Sequence, residues 1–237
     1  MSFSLTANGF IYTDANNQTK SIVIDGANNT IDFQQLNIST PSISNKEYVA
    51  PQSNFQPADK AALVTAVNLW VSDNATALAT YGVINTWDTS LITDMSGLFQ
   101  SKTTFNDNIG DWDTSSVTTM NNMFYEAEAF NQDIGSWDVS EVLSMGLLFE
   151  AAEVFNQDIS SWNTSKVDGM VRMFRDAASF NQNISAWDVG AVTDFTSMWL
   201  AAGAMLGANG DANRLAIHTA WNGNASWSYQ WGGNNNP

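Results

Sequence analysis

Apolar positions in residues 83–207 recur every 25 residues without a single insertion. The clearest column is tryptophan: Trp87, Trp112, Trp137, Trp162 and Trp187. A second runs Ile92, Val117, Val142, Val167, Val192; a third Met95, Met120, Met145, Met170, Phe195; a fourth Phe99, Phe124, Phe149, Phe174, Trp199. Phe105-Asn106, Phe130-Asn131, Phe155-Asn156 and Phe180-Asn181 follow, and then Ile109, Ile134, Ile159 and Ile184. A shared period of this length is the signature of a repeat architecture, in which each unit is one supersecondary motif packed on the next.

Within a unit, Val117, Met120, Met123-Phe124 and Ala127 are spaced as one face of a short helix, with Ser115 or Thr118 placed to cap its start. The following segment, from Phe130-Asn131 to Ser140, is rich in turn residues around Ile134 and Trp137 and reads as a short extended return. A unit buries about six apolar side chains at about 2 kcal/mol each, whereas ordering each residue costs about 1.5 kcal/mol. No unit is stable alone, so five must share one core. The expected fold is therefore an α/β repeat, a leucine-rich-repeat-like solenoid of five 25-residue units.

The flanks leave the repeat. In residues 51–82, Gln56-Pro57-Ala58-Asp59 predicts a helix start with Pro at an early position, and Leu63, Val67, Trp70 and Val71 form one apolar stripe for covering the first unit. Gly82 closes this helical N-terminal cap. Residues 208–237 bring Leu215, Ile217, Trp221, Trp227 and Trp231, an aromatic C-terminal cap followed by an Asn-rich tail. Residues 1–50 are of another kind: β-rich runs at Ser4-Leu5-Thr6, Phe10-Ile11-Tyr12, Ser21-Ile22-Val23-Ile24 and Thr30-Ile31-Asp32-Phe33 lie between Asn-Gly, Asp-Gly and Asn-Asn turn signals. A Pro- and Ser-containing linker from Thr40 to Pro51 follows. So small a β element needs something to pair with, and we expect residues 1–45 to act in attachment or self-association.

Composition narrows the function. With 8 Lys and Arg against 24 Asp and Glu the net charge is −16, which repels nucleic acid and anionic membranes. There is no cysteine, which excludes disulfides, thiolate metal sites and a Cys nucleophile. The first residues lack a basic and then apolar leader, and no stretch approaches the run of about 18 apolar residues that spans a bilayer, so neither a signal peptide nor membrane insertion is expected.

The unit from Val117 to Ser140, V-T-x-M-x-x-M-F-x-x-A-x-x-F-N-x-x-I-x-x-W-D-V-S, resembles the repeat of the BspA-like leucine-rich-repeat surface proteins, a type also described in mycoplasma lipoproteins. The resemblance covers roughly residues 55–207, including the lead-in helix from Ala58 to Gly82. It implies a surface-exposed adhesion or recognition module and brings no catalytic residues.

Chemistry is weighed against packing column by column. The Trp column is a candidate sugar platform, but strict periodicity is what a core demands. Asp88, Asp113, Asp138 and Asp188 supply one carboxylate per unit where calcium wants six to eight oxygens, and Asn163 interrupts them, so turn capping is the expected role. Asn106, Asn131, Asn156 and Asn181 read as an amide ladder between units. The one histidine, His218, has no nucleophile setting around it. Thr89, Thr114 and Thr164 alternate with Val139 and Val189, which argues against an ice-binding face. No cofactor and no metal are expected.

One asymmetry stands out. From Trp112 to Ser161 there are nine acidic residues and no Lys or Arg, after which Lys166, Arg172 and Arg175 arrive. Glu126, Glu150 and Arg175 should line one edge, and with Glu128, Glu153 and Arg172 they make a candidate contact patch. The expectation is a non-enzymatic recognition or adhesion module: a phage or viral fibre or decoration protein, or alternatively a cell-surface adhesin, meeting a protein or glycan in a virion or on a cell surface. A glycosidase using two of Glu126, Glu128, Glu141, Glu150 and Glu153 is the remaining alternative.

Overall fold

The computed structural model describes the backbone of residues 2–6, 9–13 and 19–23, and then residues 55–207 and 211–229. The chain divides into two units, residues 1–48 and residues 49–237.

In the first unit three strands, β1 (Ser2–Thr6), β2 (Gly9–Thr13) and β3 (Thr19–Val23), form an antiparallel sheet in the order β1-β2-β3. Thr6 pairs with Gly9, so the glycine of the Asn-Gly signal is a strand residue and not part of the turn. The register sets Leu5 opposite Phe10 and Phe10 opposite Ile22. The fourth expected run, Thr30-Ile31-Asp32-Phe33, lies outside the described residues, as do the linker and Trp231.

The second unit opens with α1 (Lys60–Ser72) and α2 (Asn74–Tyr81). Asp59 caps α1 by accepting from the Ala62 N–H at 2.9 Å, so Pro57 precedes the helix and is not part of it. Asp73 ends α1 and caps α2, its carboxylate taking both the N–H and the hydroxyl of Thr76. Gly82, at φ +74°, takes the left-handed position that closes α2. Leu63, Ala66, Val67 and Trp70 are buried, whereas Val71 is 39% exposed and leaves the expected stripe. Trp70 meets Trp87 edge-on at 5.8 Å and its indole N–H donates to Asp107 at 2.8 Å. Lys60 reaches Asp94 and Ser96, which fixes α1 on the first repeat.

Residues 83–202 hold the repeats, and here the expected helix is absent. Among the described residues the units contain no α-helix, and between α2 and α3 (Gly203–Leu206) the one helical segment is a 3-10 turn at Ile84–Thr86. In place of the helix the backbone N–H groups divide into two sets. Those of Met120, Asn122, Phe124 and Glu126 donate to Ser144, Gly146, Leu148 and Glu150 of the next unit at 2.9–3.1 Å. Those of Met123, Tyr125 and Ala127 close turns onto Met120, Asn122 and Phe124 at 3.0–3.1 Å. The same scheme joins Met145 to Gly169, Leu147 to Val171, Phe149 to Met173 and Ala151 to Arg175. Isolated parallel bridges mark the ladder at Asp94, Thr119, Ser144, Gly169 and Asp194.

This arrangement requires two left-handed residues per unit: Asn122 and Glu126, Leu147 and Ala151, Arg172 and Asp176, Ser197 and Ala201, with Gly97 and Ser101 in the first. A left-handed residue other than glycine costs about 1–2 kcal/mol, so inter-unit bonding must outweigh the helix that these residues would otherwise form. The turns have nearly the same apolar spacing as a helix, which is why periodicity alone did not separate them.

Inside, the columns stack ring on ring. Phe99, Phe124, Phe149, Phe174 and Trp199 follow one another at 5.0–5.7 Å, and Phe105, Phe130, Phe155 and Phe180 at 6.0 Å. Each Trp of the later units also donates its indole N–H to an isoleucine carbonyl of the unit before: Trp112 to Ile84, Trp137 to Ile109, Trp162 to Ile134 and Trp187 to Ile159. The rings are thus core, with their polar atom matched by backbone.

After the repeats, α4 (Asp211–Trp221) mimics a further unit. Trp221 stacks on Trp187 at 6.3 Å, where the next column tryptophan would stand. Asn213 donates its amide to Asn181 as Gln182 does to Asn156. Ile217 and Trp221 are buried, whereas Leu215 is 63% exposed and takes no part in the cap. His218 receives the Trp227 indole N–H at 3.2 Å, a packing role.

Candidate functional site

Solvent-facing positions are held on the same frame. The Asp column makes turns: Asp113 Oδ1 accepts from the N–H and hydroxyl of Ser115, and Asp138 from the N–H of Ser140. Hydrogen bonds from Ser90 hold the carboxyl of Asp88 below its ordinary range, and those from Ser140 do the same for Asp138. The Asn column joins units, Asn106, Asn131 and Asn156 each accepting the N–H of the asparagine one unit on. Thr89, Thr114 and Thr164 donate to the Asp113, Asp138 and Asp188 carbonyls, and Val139 and Val189 pack as apolar substitutes in the same column.

The turn columns carry the candidate patch. One turn column reads Gln100, Tyr125, Glu150, Arg175, Leu200 and the next Ser101, Glu126, Ala151, Asp176, Ala201. Because Glu126 donates its N–H to the Glu150 carbonyl at 2.9 Å, adjacent units bring these two columns together. The Glu150 carboxylate approaches Arg175 Nη1 at 3.6 Å, and Arg175 Nε lies 3.2 Å from Asp176. Glu126 accepts from the Ser101 hydroxyl at 2.8 Å and from Tyr125.

The two glutamates are driven apart. Hydrogen bonds from Tyr125 and then Ser101 lower the Glu126 carboxyl, while burial raises that of Glu150 against the opposing pull of Arg175 and Arg172. Tyr125 in turn is raised, because its hydroxyl donates to Glu126 beside that negative charge. Only 7% of the Glu150 side chain is exposed, and its Oε2 has no hydrogen-bond partner. Four of the six predicted patch residues are therefore brought into one electrostatic cluster: Glu126, Glu150, Arg172 and Arg175. Glu128 and Glu153 occupy equivalent exposed positions one unit apart, and among the described residues no ion pair links them to the other four. Tyr125 and Asp176 were missed, although placing residues 25 apart in one column would have found both.

Glu150 gives a pH prediction. Its carboxyl is raised above the ordinary 4.5, so between that value and the higher folded value the folded chain holds more protons than the unfolded one. Its contribution to stability is then fully present at low pH and falls as pH rises through that window. Glu150→Gln should gain stability relative to wild type as pH rises above the ordinary 4.5, read from denaturant midpoints. A difference that does not change with pH would show Glu150 to be well compensated.

A separate groove of about 470 Å³ lies between the last repeat and the C-terminal cap, lined in part by Trp187, Val192, Trp221 and Asn224. Asn224 donates to the Val189 and Val192 carbonyls there and so holds the cap in place. Among the described residues no group of three or more metal-ligating side chains occurs, and no helix is long and apolar enough to cross a membrane.

The model of one family, described as "Mycoplasma protein of unknown function, DUF285", matches residues 68–167 and again residues 141–220. The chain belongs to the DUF285 family. The DUF285 matches overlap and together take in α2, all five Trp-column residues and most of α4. Both the interior columns and the glutamate–arginine cluster thus fall within the DUF285 region. No curated protein and no solved structure matches the chain.

Proposed function

We propose that the chain is a recognition or adhesion module of the BspA-like kind, a leucine-rich-repeat-like solenoid that offers a patterned exterior to a partner and performs no chemistry. One observation supports this most. Next to the interior column Phe99, Phe124, Phe149, Phe174, Trp199, the column Gln100, Tyr125, Glu150, Arg175, Leu200, exposed or half-buried except at Glu150, changes at every step. A frame that repeats inside and differs outside turns one fold into a specific surface. Membership of the DUF285 repeat family agrees with a repeat surface protein. The partner is a protein or glycan, met on a cell surface or from a virion.

The glycosidase reading rests on the opposite shifts of Glu126 and Glu150, since two carboxyls pushed apart suit an acid and a base. A glycan and glycoprotein array, followed by incubation of every bound glycan with the protein, tests the choice. Saturable binding without hydrolysis is expected. Reproducible turnover lost in both Glu126→Gln and Glu150→Gln would establish the enzyme instead.

Residues 1–45 serve, in this reading, as the attachment or self-association segment. Among the described residues, β1 and β3 are the two edges of a three-stranded sheet, and an edge strand is a ready template for pairing. Light scattering should show an oligomer for the full chain and a folded monomer for a chain starting at Asn54. Two equally stable monomers would reassign the segment.

A further inference from the structure

Asn222 and Gly223 form the turn that follows α4, and both are exposed. Among the described residues they are the one Asn-Gly pair. The Asn222 backbone N–H donates to the His218 carbonyl at 3.0 Å, but among the described residues neither its side-chain amide nor the Gly223 N–H meets a hydrogen-bond partner. The fold does not demand glycine here. Its φ is not among the positive ones, which belong to Gly82 and Gly97, and a Cβ on Gly223 would meet nothing within 4 Å. A glycine in such a place costs stability relative to alanine. What it supplies is an exposed backbone nitrogen with no side chain to shield it, directly after a side-chain amide.

That nitrogen, on losing its proton, can attack Cγ of Asn222. The new C–N bond closes a five-membered imide, the Cγ–Nδ2 bond breaks, and the side-chain nitrogen leaves as ammonia with the proton restored from solvent. Water then opens the ring at either carbonyl, giving aspartate or isoaspartate, and in isoaspartate the main chain runs through the side chain and is one methylene longer. Asp168-Gly169 offers the same pairing of side-chain carbonyl and glycine, but there the ladder pins the backbone: Asp168 donates to Leu143 and accepts from Thr193, both at 2.9 Å, and Gly169 accepts from Met145. The turn after α4 is free of such bonds yet lies between two anchors of the C-terminal cap. Trp221 stacks on Trp187, and Asn224 donates its amide to the Val189 and Val192 carbonyls at 2.6 and 2.9 Å. The Asn224 N–H reaches the Trp221 carbonyl at 2.9 Å across this turn, a closure that an added methylene breaks. The new carboxylate also stands at the C-terminal end of α4, where the helix dipole disfavours negative charge.

We propose that Asn222 is a site of spontaneous deamidation, and that the isoaspartate formed there loosens the C-terminal cap from the last repeat. The full chain, incubated in mildly alkaline buffer and then digested with trypsin, tests this. Cleavage after Arg214 isolates residues 215–237, in which Asn222-Gly223 is the one Asn-Gly pair, while Asn8-Gly9 and Asn209-Gly210 fall in residues 1–20 and 176–214. The 215–237 fragment should gain the mass of an amide exchanged for a carboxyl, localised to Asn222 by fragmentation, with isoaspartate as the main product against synthetic standards. Gly223→Ala, which the open space accommodates, should keep the fold and lose most of the conversion. Amide hydrogens of residues 187–199 should exchange faster in the converted chain than in the fresh one, and Asn222→Asp, which adds the charge without the methylene, should reproduce a smaller part of that change. An unchanged Asn222, equal conversion in Gly223→Ala, or conversion with no faster exchange at residues 187–199 would overturn the proposal.

Discussion

Replacing Trp137 by alanine lowers stability by about 3–5 kcal/mol, the cost of an aromatic truncation in a closed core. The ring is 4% exposed, and it packs against Phe124 at 6.2 Å. Its indole N–H donates to the Ile109 carbonyl of the previous unit at 3.2 Å, so the truncation also leaves a buried acceptor without its donor. Neighbours on both sides share the cavity and cannot collapse independently. Glu141, four residues on, is the control. It pairs with Lys166 at 2.7 Å, but both side chains are about half exposed, and Glu141→Ala should cost under about 0.5 kcal/mol. Guanidinium melts followed by tryptophan emission measure both, and equal midpoints would mean that the Trp column is not the core.

What the sequence shows best is what repetition makes redundant. Phe124, Trp137 and Ile134 are read as core because each has partners 25 residues away on both sides, and all three are buried. The turn role of Asp113 and the ladder role of Asn131 follow from short polar side chains at fixed places in turns, and the hydrogen bonds are present. The path of the backbone between those points was not legible. Val117, Met120, Met123-Phe124 and Ala127 have the spacing of a helix, yet the chain makes a run of turns there with Asn122 and Glu126 left-handed. In later units Leu147 and Arg172 hold the same left-handed position, and nothing in those residue types signals it. The conformation is imposed by hydrogen bonds to the next unit, which is information about neighbours and not about local propensity.

The candidate site divides in the same way. Position along the edge was readable for Glu126, Glu150 and Arg175, since they fall in adjacent columns. Burial was not: the pattern sets Glu150 on one edge with Glu126 and Arg175, and only the fold shows that 7% of its side chain is exposed, with Arg175 3.6 Å away. Val71 and Leu215 failed for the converse reason. Each has the right hydrophobicity for its cap, but each points away from the face that docks.

Removal of residues 138–162, one whole unit, tests the central claim most directly, because it joins Trp137 to Asn163 with every column still in step. If stability resides in the interface between identical frames, the shortened chain keeps both caps, one set of inter-unit bonds fewer and a continuous aromatic stack. It should fold cooperatively, with a denaturant midpoint lowered but distinct. Removing residues 138–149 alone takes fewer residues yet places Trp137 beside the wrong column, and that chain should show no cooperative transition. A chain lacking residues 138–162 that unfolds as completely as the one lacking residues 138–149 would contradict the account.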